Sequence, residues 1–453
     1  MNKKKVLKII GCSSVALLLL VSFPFPVWCR PLEDTARQGN NVYALLTPLA
    51  LFFVLLELAA DLITRKGRIS FQEAVANMGT ALGNQTVNVL IAAGVYHVYG
   101  GLWNHYRLMD IPLNFWSGLA LLVSMDFIFY WVHRWGHKIN ILWAAHSPHH
   151  SAEEMNFFVA LRASVTQRLV SFLFFWPLTI IGFRPMDIYV MSALHLFIAF
   201  LHHTEYVGKL WRWIEFIFTT PSHHRVHHGI NFKYLDKNYS EFLIIWDRLF
   251  GTFQEEQEKV VYGMYNGPRT WNPILINFHY FIMLWKDALA APYLWDKIRV
   301  WFMPTGWRPR GLPQKKLEEI TAENQTKYRS QPFRGAKPYL VIQVIFGLVL
   351  VLLVIREDSP WTPIQRWVGA GLLWWAIINW SGILESRTWL LPSEIARLIF
   401  TSGAFTVFFS WHLMPQAETV LFYLYGALSL IWAVVFFQLQ AFSPHKENMM
   451  KPA

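Results

Sequence analysis

Charge is scarce in this chain: 15% of its 453 residues are Asp, Glu, Lys or Arg, against 54% apolar and 17% aromatic. A soluble domain of this size needs more charge to cover its surface, so the composition excludes an ordinary soluble enzyme and points to lipid as solvent. Cysteine is scarcer still. The two present, Cys12 and Cys29, exclude a disulfide framework, a Cys-rich zinc site and iron–sulfur ligation. No Gly-x-Gly-x-x-Gly fingerprint occurs, which excludes a built-in nicotinamide or flavin domain of that type. The His-Glu-x-x-His helix of hydrolytic zinc enzymes is missing, as are the Glu-x-x-His pairs of carboxylate di-iron bundles.

Apolar sequence is abundant instead. Runs at 42–60, 87–103, 111–132, 339–355, 367–384 and 419–439 have the length needed to cross about 30 Å of hydrocarbon. Weaker runs lie at 169–181, 186–201 and 399–413, and the first two flank a turn at 182–184 that suggests a partly penetrating hairpin. Residues 1–28 open with Lys3, Lys4, Lys5 and Lys8 and continue into an apolar stretch, the pattern of a signal anchor or signal peptide. No clear small-x-small cleavage site follows, which favours an uncleaved first helix. The expectation is an all-α polytopic membrane protein of about 9–10 apolar helices with a cytosolic histidine-rich cap. Its expected parts are leading helices in 1–110, a catalytic domain in 111–311, a cytosolic linker in 312–336 and a four-helix membrane region in 337–453.

The net charge of +11 does not mark a nucleic-acid partner, because its distribution follows topology. With the N-terminus inside, Arg65, Lys66, Arg68, Arg134, Lys138, Lys209, Arg212, Arg225 and Lys233 all fall on the cytosolic side. Outer loops carry fewer Lys and Arg, which is the positive-inside pattern.

Histidine carries the chemistry. Twelve of the 17 histidines lie between residues 133 and 228, in groups. They are His133-Arg-Trp-Gly-His137, His146-Ser-Pro-His149-His150, His202-His203 and His223-His224-Arg-Val-His227-His228. His133 and His137 stand at i,i+4 where an apolar run ends, so a continued helix puts them on one face. Thr220-Pro221 suits a helix start and Gly229 a helix stop. The helix between them carries His223 and His227 on one row and His224 and His228 on the next, about 100° apart. Pro148 disfavours helix at Ser147, which leaves open whether His146, His149 and His150 share one. The apolar runs bring all these groups to one cytosolic layer.

Imidazole suits iron, zinc, copper and nickel. Ten neutral imidazoles exceed the four ligands of a zinc site and match the needs of two ions. The predicted ligands are His133, His137, His146, His149, His150, His203, His223, His224, His227 and His228 around two non-haem irons. A ligating imidazole needs its second nitrogen hydrogen-bonded, and Asp126 and Glu205 are the leading acids for that task. Glu153, Glu154, Asp236, Asn238 and Asp247 are further candidates. Transport sites sit near the bilayer midplane on broken helices, so histidines gathered at one edge disfavour a metal transporter.

These motifs, beginning with Asp126-Phe-Ile-Phe-Tyr-Trp-Val-His133-Arg-Trp-Gly-His137 and closing with Ser222-His223-His224-Arg-Val-His227-His228-Gly229, resemble the fatty acid hydroxylase and sterol desaturase superfamily of membrane di-iron enzymes. Ala160-Leu-Arg-Ala-Ser-Val, His203-Thr-Glu205, Asp236-Lys-Asn-Tyr239, Leu243-Ile-Ile-Trp-Asp247 and Leu249-Phe-Gly-Thr-Phe253 are similar to its glyceryl-ether-cleaving branch. The resemblance implies an O2-dependent hydroxylation of the carbon beside the ether oxygen of a membrane lipid, releasing a fatty aldehyde. It implies tetrahydrobiopterin as the reductant of animal members. Two departures stand out: His202 is an extra histidine, and Lys138 stands where animal members carry an acid. Electrons must come from outside the chain, from a small reductant or a partner protein that could dock on the basic segment 209–237. A fatty acyl lipid, sterol or carotenoid as substrate, and desaturation in place of hydroxylation, stay open at this point. So does the host membrane, bacterial inner membrane or endoplasmic reticulum.

Overall fold

The computed structural model describes residues 35–314, 316–332, 335–355, 361–409 and 416–441. The expected first helix, with Cys12 and Cys29, lies outside the described residues. Among the described residues there are helices and no strands, with isolated bridges at Ile139–Pro304, Phe218–Leu243 and Gly229–Tyr262. The principal helices are α1 (Thr35–Thr64), α2 (Phe71–Tyr106), α3 (Phe115–Lys138), α4 (Asn140–His150), α5 (Pro185–Leu201) and α6 (Pro221–His227). They continue as α7 (Pro273–Ala290), α8 (Ala336–Ile355), α9 (Pro363–Leu384), α10 (Leu390–Ala404) and α11 (Gln416–Ala441).

The described apolar runs are helical except at 111–114 and at 173–175, where the run at 169–181 breaks into two short helices. Among the described residues four helices are long and apolar enough to cross a membrane: Leu46–Thr64 within α1, then α3, α8 and α9. The run at 87–103 lies inside α2, which carries the buried Asn77 and Asn84 ahead of the run and Asn88 within it. The expected turn at 182–184 is present. Gly182 adopts φ +135°, and a Cβ there would stand 2.3 Å from the Met109 carbonyl oxygen, so only glycine fits.

The chain divides into two compact units. The first takes residues up to Ser70, Asn88–Pro268 and Asn277–Lys327. It contains every histidine group. Its core packs Leu121 and Met125 of α3 against Phe175, Leu178, Ile188 and Met191, while Phe53 of α1 meets Phe157, Phe197 and Phe200. The second unit takes Phe71–Val87, Arg269–Ile276 and the residues from Tyr328 on. Inside it, the fully buried pair Arg397–Glu394 on α10 is tied to its neighbours: Glu394 accepts from Asn379 Nδ2 of α9 and Arg397 donates to Gln343 Oε1 of α8. A bare charge in such surroundings is expensive, and the shared network removes that penalty.

Local sequence sets the helices that matter for the site. Asn114 caps α3 in a reciprocal box with Ser117, and Ile139 in extended conformation ends it one residue past Lys138. The chain re-enters a helix at once, and Asn140 Nδ2 donates to the Val300 carbonyl. Pro148 lies inside α4 without breaking it, so His146, His149 and His150 do share one helix. The Pro148 carbonyl at its end accepts from Arg162 Nε and Ser151 Oγ, and that of Ala145 from Ser164 Oγ. α6 begins with Thr220 and Pro221 in the predicted positions. Gly229 follows it, but not in the left-handed conformation of a helix stop. Its packing is close, for a Cβ there would stand 3.0 Å from side-chain atoms of Tyr234 and Val260, which would have to shift.

Candidate metal centre

Three helix ends and one loop deliver the imidazoles. His133 and His137 close α3, α4 carries His146, His149 and His150, and α6 with its cap carries His224, His227 and His228. His203 stands just past the end of α5. They sort into two groups whose ligand atoms all lie within 4.8 Å of one another. One is His133, His137, His146, His150 and His227; the other is His149, His203, His224 and His228. The groups adjoin: the His150 ring stacks on His228 at 4.2 Å between centroids.

The Nε2 atoms face inwards. His146 Nε2 is 3.0 Å from both His133 Nε2 and His150 Nε2, and His150 Nε2 is 3.2 Å from His227 Nε2. In the second group His203 Nε2 lies 3.2 Å from His149 Nε2 and 3.0 Å from His224 Nε2, which is 3.1 Å from His228 Nε2. Metal–nitrogen bonds of about 2.1 Å at right angles would put adjacent donors about 3.0 Å apart, so these spacings fit a shared ion. Hydrogen bonds among the rings do not explain them. A ring nitrogen has one in-plane site, holding either a proton or a lone pair, yet His146 and His150 each face two partners. The outer nitrogens settle the tautomers. His133 Nδ1 donates to the Tyr239 carbonyl at 2.7 Å, His227 Nδ1 to Lys237 at 3.1 Å and His203 Nδ1 to Ala199 at 2.9 Å. In a neutral ring this leaves a bare lone pair on Nε2, aimed into the cluster. His137 Nε2 is buried with no partner in the protein, a polar atom that a cation would satisfy.

Burial, reinforced by neighbouring imidazoles, keeps these rings neutral. It holds His146, His149, His150, His224, His227 and His228 well below the ordinary imidazole range, and His203 at about 3. Neutral imidazole is the ligating form, so the donor set fits a first-row transition metal.

Nine of the ten predicted ligands therefore converge. His223 belongs to neither group: its ring packs on Phe253, and its buried Nδ1 has no partner. Asp126 and Glu205 do not serve the two groups as expected. Asp126 accepts from His195 Nε2 at 2.9 Å, from the N–H groups of Phe242 and Leu243, and from Trp246 Nε1, so it anchors segment 242–246 to α3. Glu205 forms an ion pair with Arg68 at 3.2 Å.

Backbone carbonyls do the work assigned to those acids, and side-chain reading could not see them. Asp236 and Asn238 both take positive φ, at 60° and 54°, which turns the intervening chain so that the Lys237 and Tyr239 carbonyls face the rings. Asn238 is pinned by bonds to the His223 and Gln254 carbonyls, and Asp247 accepts the N–H groups of Tyr239 and Ser240. Sequence reading also passed over Glu241, a buried acid whose carboxyl burial raises to about 8. The signal available was a lone charge at the head of the apolar segment Phe242-Leu-Ile-Ile.

The chain matches the fatty acid hydroxylase family over residues 118–252. It is 36% identical to the alkylglycerol monooxygenase of Homo sapiens over 312 residues, covering 67% of this chain and 68% of that one. The Danio rerio alkylglycerol monooxygenase is 33% identical over 71% of this chain and 70% of its own length. The Xenopus tropicalis one is 40% identical over 49% and 51%. The chain belongs to the alkylglycerol monooxygenase family. No solved structure matches it. Membership makes it a lipid monooxygenase, and with four helices among the described residues long and apolar enough to cross a membrane it is an integral membrane protein. The histidine-rich cluster of this family member has the donors to bind iron.

Proposed function

We propose that this family member binds two irons, one in each imidazole group, and uses O2 to hydroxylate the carbon beside the ether oxygen of a glyceryl ether. The observation that supports it most is the pair of adjoining groups of five and four buried imidazoles, on a chain 36% identical to a human alkylglycerol monooxygenase. Bound iron would supply O2 activation, with two external electrons and two protons reducing the second oxygen atom to water. Among the described residues no carboxylate lies in either imidazole group, so these neutral ligands would leave the charge of bound ions uncompensated and the site strongly electrophilic. The chain's own part is to hold neutral Nε2 donors in place through the Tyr239, Lys237 and Ala199 carbonyls and to bury the site from water. The ether oxygen's lone pairs stabilise the developing radical at its neighbouring carbon. The product is a hemiacetal, which breaks its C–O bond to release a fatty aldehyde and a glycerol derivative.

The basic residues of the loops around the site support a cytosolic active face. The electron donor is external, and tetrahydrobiopterin is the first reductant to try. Purified protein with ferrous iron, reduced pterin and a 1-O-alkylglycerol carrying a labelled chain should yield labelled aldehyde only with O2. Conversion of a fatty acyl lipid or a sterol, with the ether left intact, would overturn the substrate assignment.

A further inference from the structure

Beside the second imidazole group lies another convergence: His202, His224 and Glu241 bring their ligand atoms within 4.8 Å of one another. The three residues are 3%, 2% and 4% exposed. Two of them lack partners. His202 Nδ1 is buried and bonded to nothing, and no hydrogen-bond donor reaches the Glu241 carboxyl among the described residues.

That is unlike three other buried acids of the chain. Asp126 accepts four bonds, Asp247 accepts three, and Glu394 is paired with Arg397. A carboxylate taken out of water without a donor or a cation costs several kcal/mol, and so does an orphaned imidazole nitrogen on a smaller scale. The ligand atoms of His202 and Glu241 lie within 4.8 Å of each other, and one positive ion between them would serve both. Two imidazoles and a carboxylate form a mixed nitrogen–oxygen donor set suited to zinc or ferrous iron.

We propose that His202, Glu241 and His224 form a third cation site, for a first-row divalent ion, beside the two imidazole groups. It rests on reading those groups as metal sites. His224 turns Nε2 towards His203 and His228, so its ring would serve the third site through Nδ1, and the shared ring would couple the filling of the two sites. Glu241 gives this part of the centre the anionic ligand that the two imidazole groups lack.

The test is a metal count on the full-length protein in detergent. The apoprotein is titrated with zinc as probe, and bound metal per chain is read by mass spectrometry after gel filtration. The wild type should saturate at three ions, and Glu241→Gln and His202→Asn at two, with helix content by circular dichroism unchanged. X-ray absorption at the zinc edge should lose its oxygen contribution in Glu241→Gln. A wild type that saturates at two, or a folded variant that still holds three, overturns the third site. A wild type that holds fewer than two overturns the dinuclear reading instead. Should one variant fail to fold, the other carries the comparison alone.

Discussion

Asp247 touches no imidazole, yet its removal should strip metal from the five-imidazole group. Its Oδ1 accepts the Tyr239 N–H at 2.8 Å and its Oδ2 the Ser240 N–H at 2.8 Å, while Thr252 Oγ1 donates at 2.6 Å. The residue is 0% exposed, so Asp247→Ala leaves two backbone donors buried and unpaired. Each such donor costs about 1–3 kcal/mol, or about 2–6 kcal/mol together. The loop can escape part of that penalty by turning its N–H groups elsewhere. Turning moves the Tyr239 carbonyl, which holds His133 Nδ1. Losing such an outer partner typically lowers metal affinity by about 10–100-fold. Iron retention under a graded chelator, followed by mass spectrometry, should show one of the two irons leaving Asp247→Ala at a roughly 10–100-fold lower chelator concentration. Asp247→Asn keeps one acceptor and should fall between. A folded Asp247→Ala protein that releases both irons at the wild-type chelator concentration would refute the carbonyl-clamp reasoning.

Three other outcomes follow from the same geometry. His224→Ala should lower the bound iron and abolish turnover, whereas His223→Ala should keep both irons, since its ring faces Phe253 instead of either group; iron analysis of the two variants decides this. The metal-free protein should lose stability as pH falls below about 6.5. Its imidazoles stay neutral when folded, with His203 down at about 3, while the unfolded chain takes up protons at the ordinary value. Each ring then withdraws up to about 1.4 kcal/mol per pH unit, and thermal unfolding against pH should show a steep acid limb that iron shifts downward. Arg397→Met should destabilise the second unit by about 3–5 kcal/mol because Glu394 is left charged and buried, and adding Glu394→Gln should restore part of it. Unfolding of the single and double variants checks the recovery.

The chemistry of this chain was legible because ligand spacing is local. His133 and His137 are four residues apart on a helix, as are His224 and His228, and geometry within one helix follows directly from sequence. The apolar runs announced helices for a similar reason, since length and composition alone mark them. Which row of α6 faces the centre was not legible. His223 and His227 share a row, yet only His227 reaches the first group, because the helix is seven residues long and His223 lies at its outer end against Phe253. Pro148 left open whether His146, His149 and His150 share a helix, and only the structure shows that they do, with the Pro148 and Ala145 carbonyls bonded by Arg162, Ser151 and Ser164 from outside α4. The ring partners were the least visible of all. Any residue has a carbonyl, and only the left-handed turns at Asp236 and Asn238 aim those of Lys237 and Tyr239 at the imidazoles.

Mössbauer spectroscopy on protein loaded with iron-57 tests the central claim most directly. Two nitrogen-rich irons in adjoining groups predict a pair of high-spin ferrous sites that O2 oxidises together, with magnetic coupling between them. A single iron, or two irons that oxidise independently and leave glyceryl ether turnover unchanged when one is removed, would contradict it.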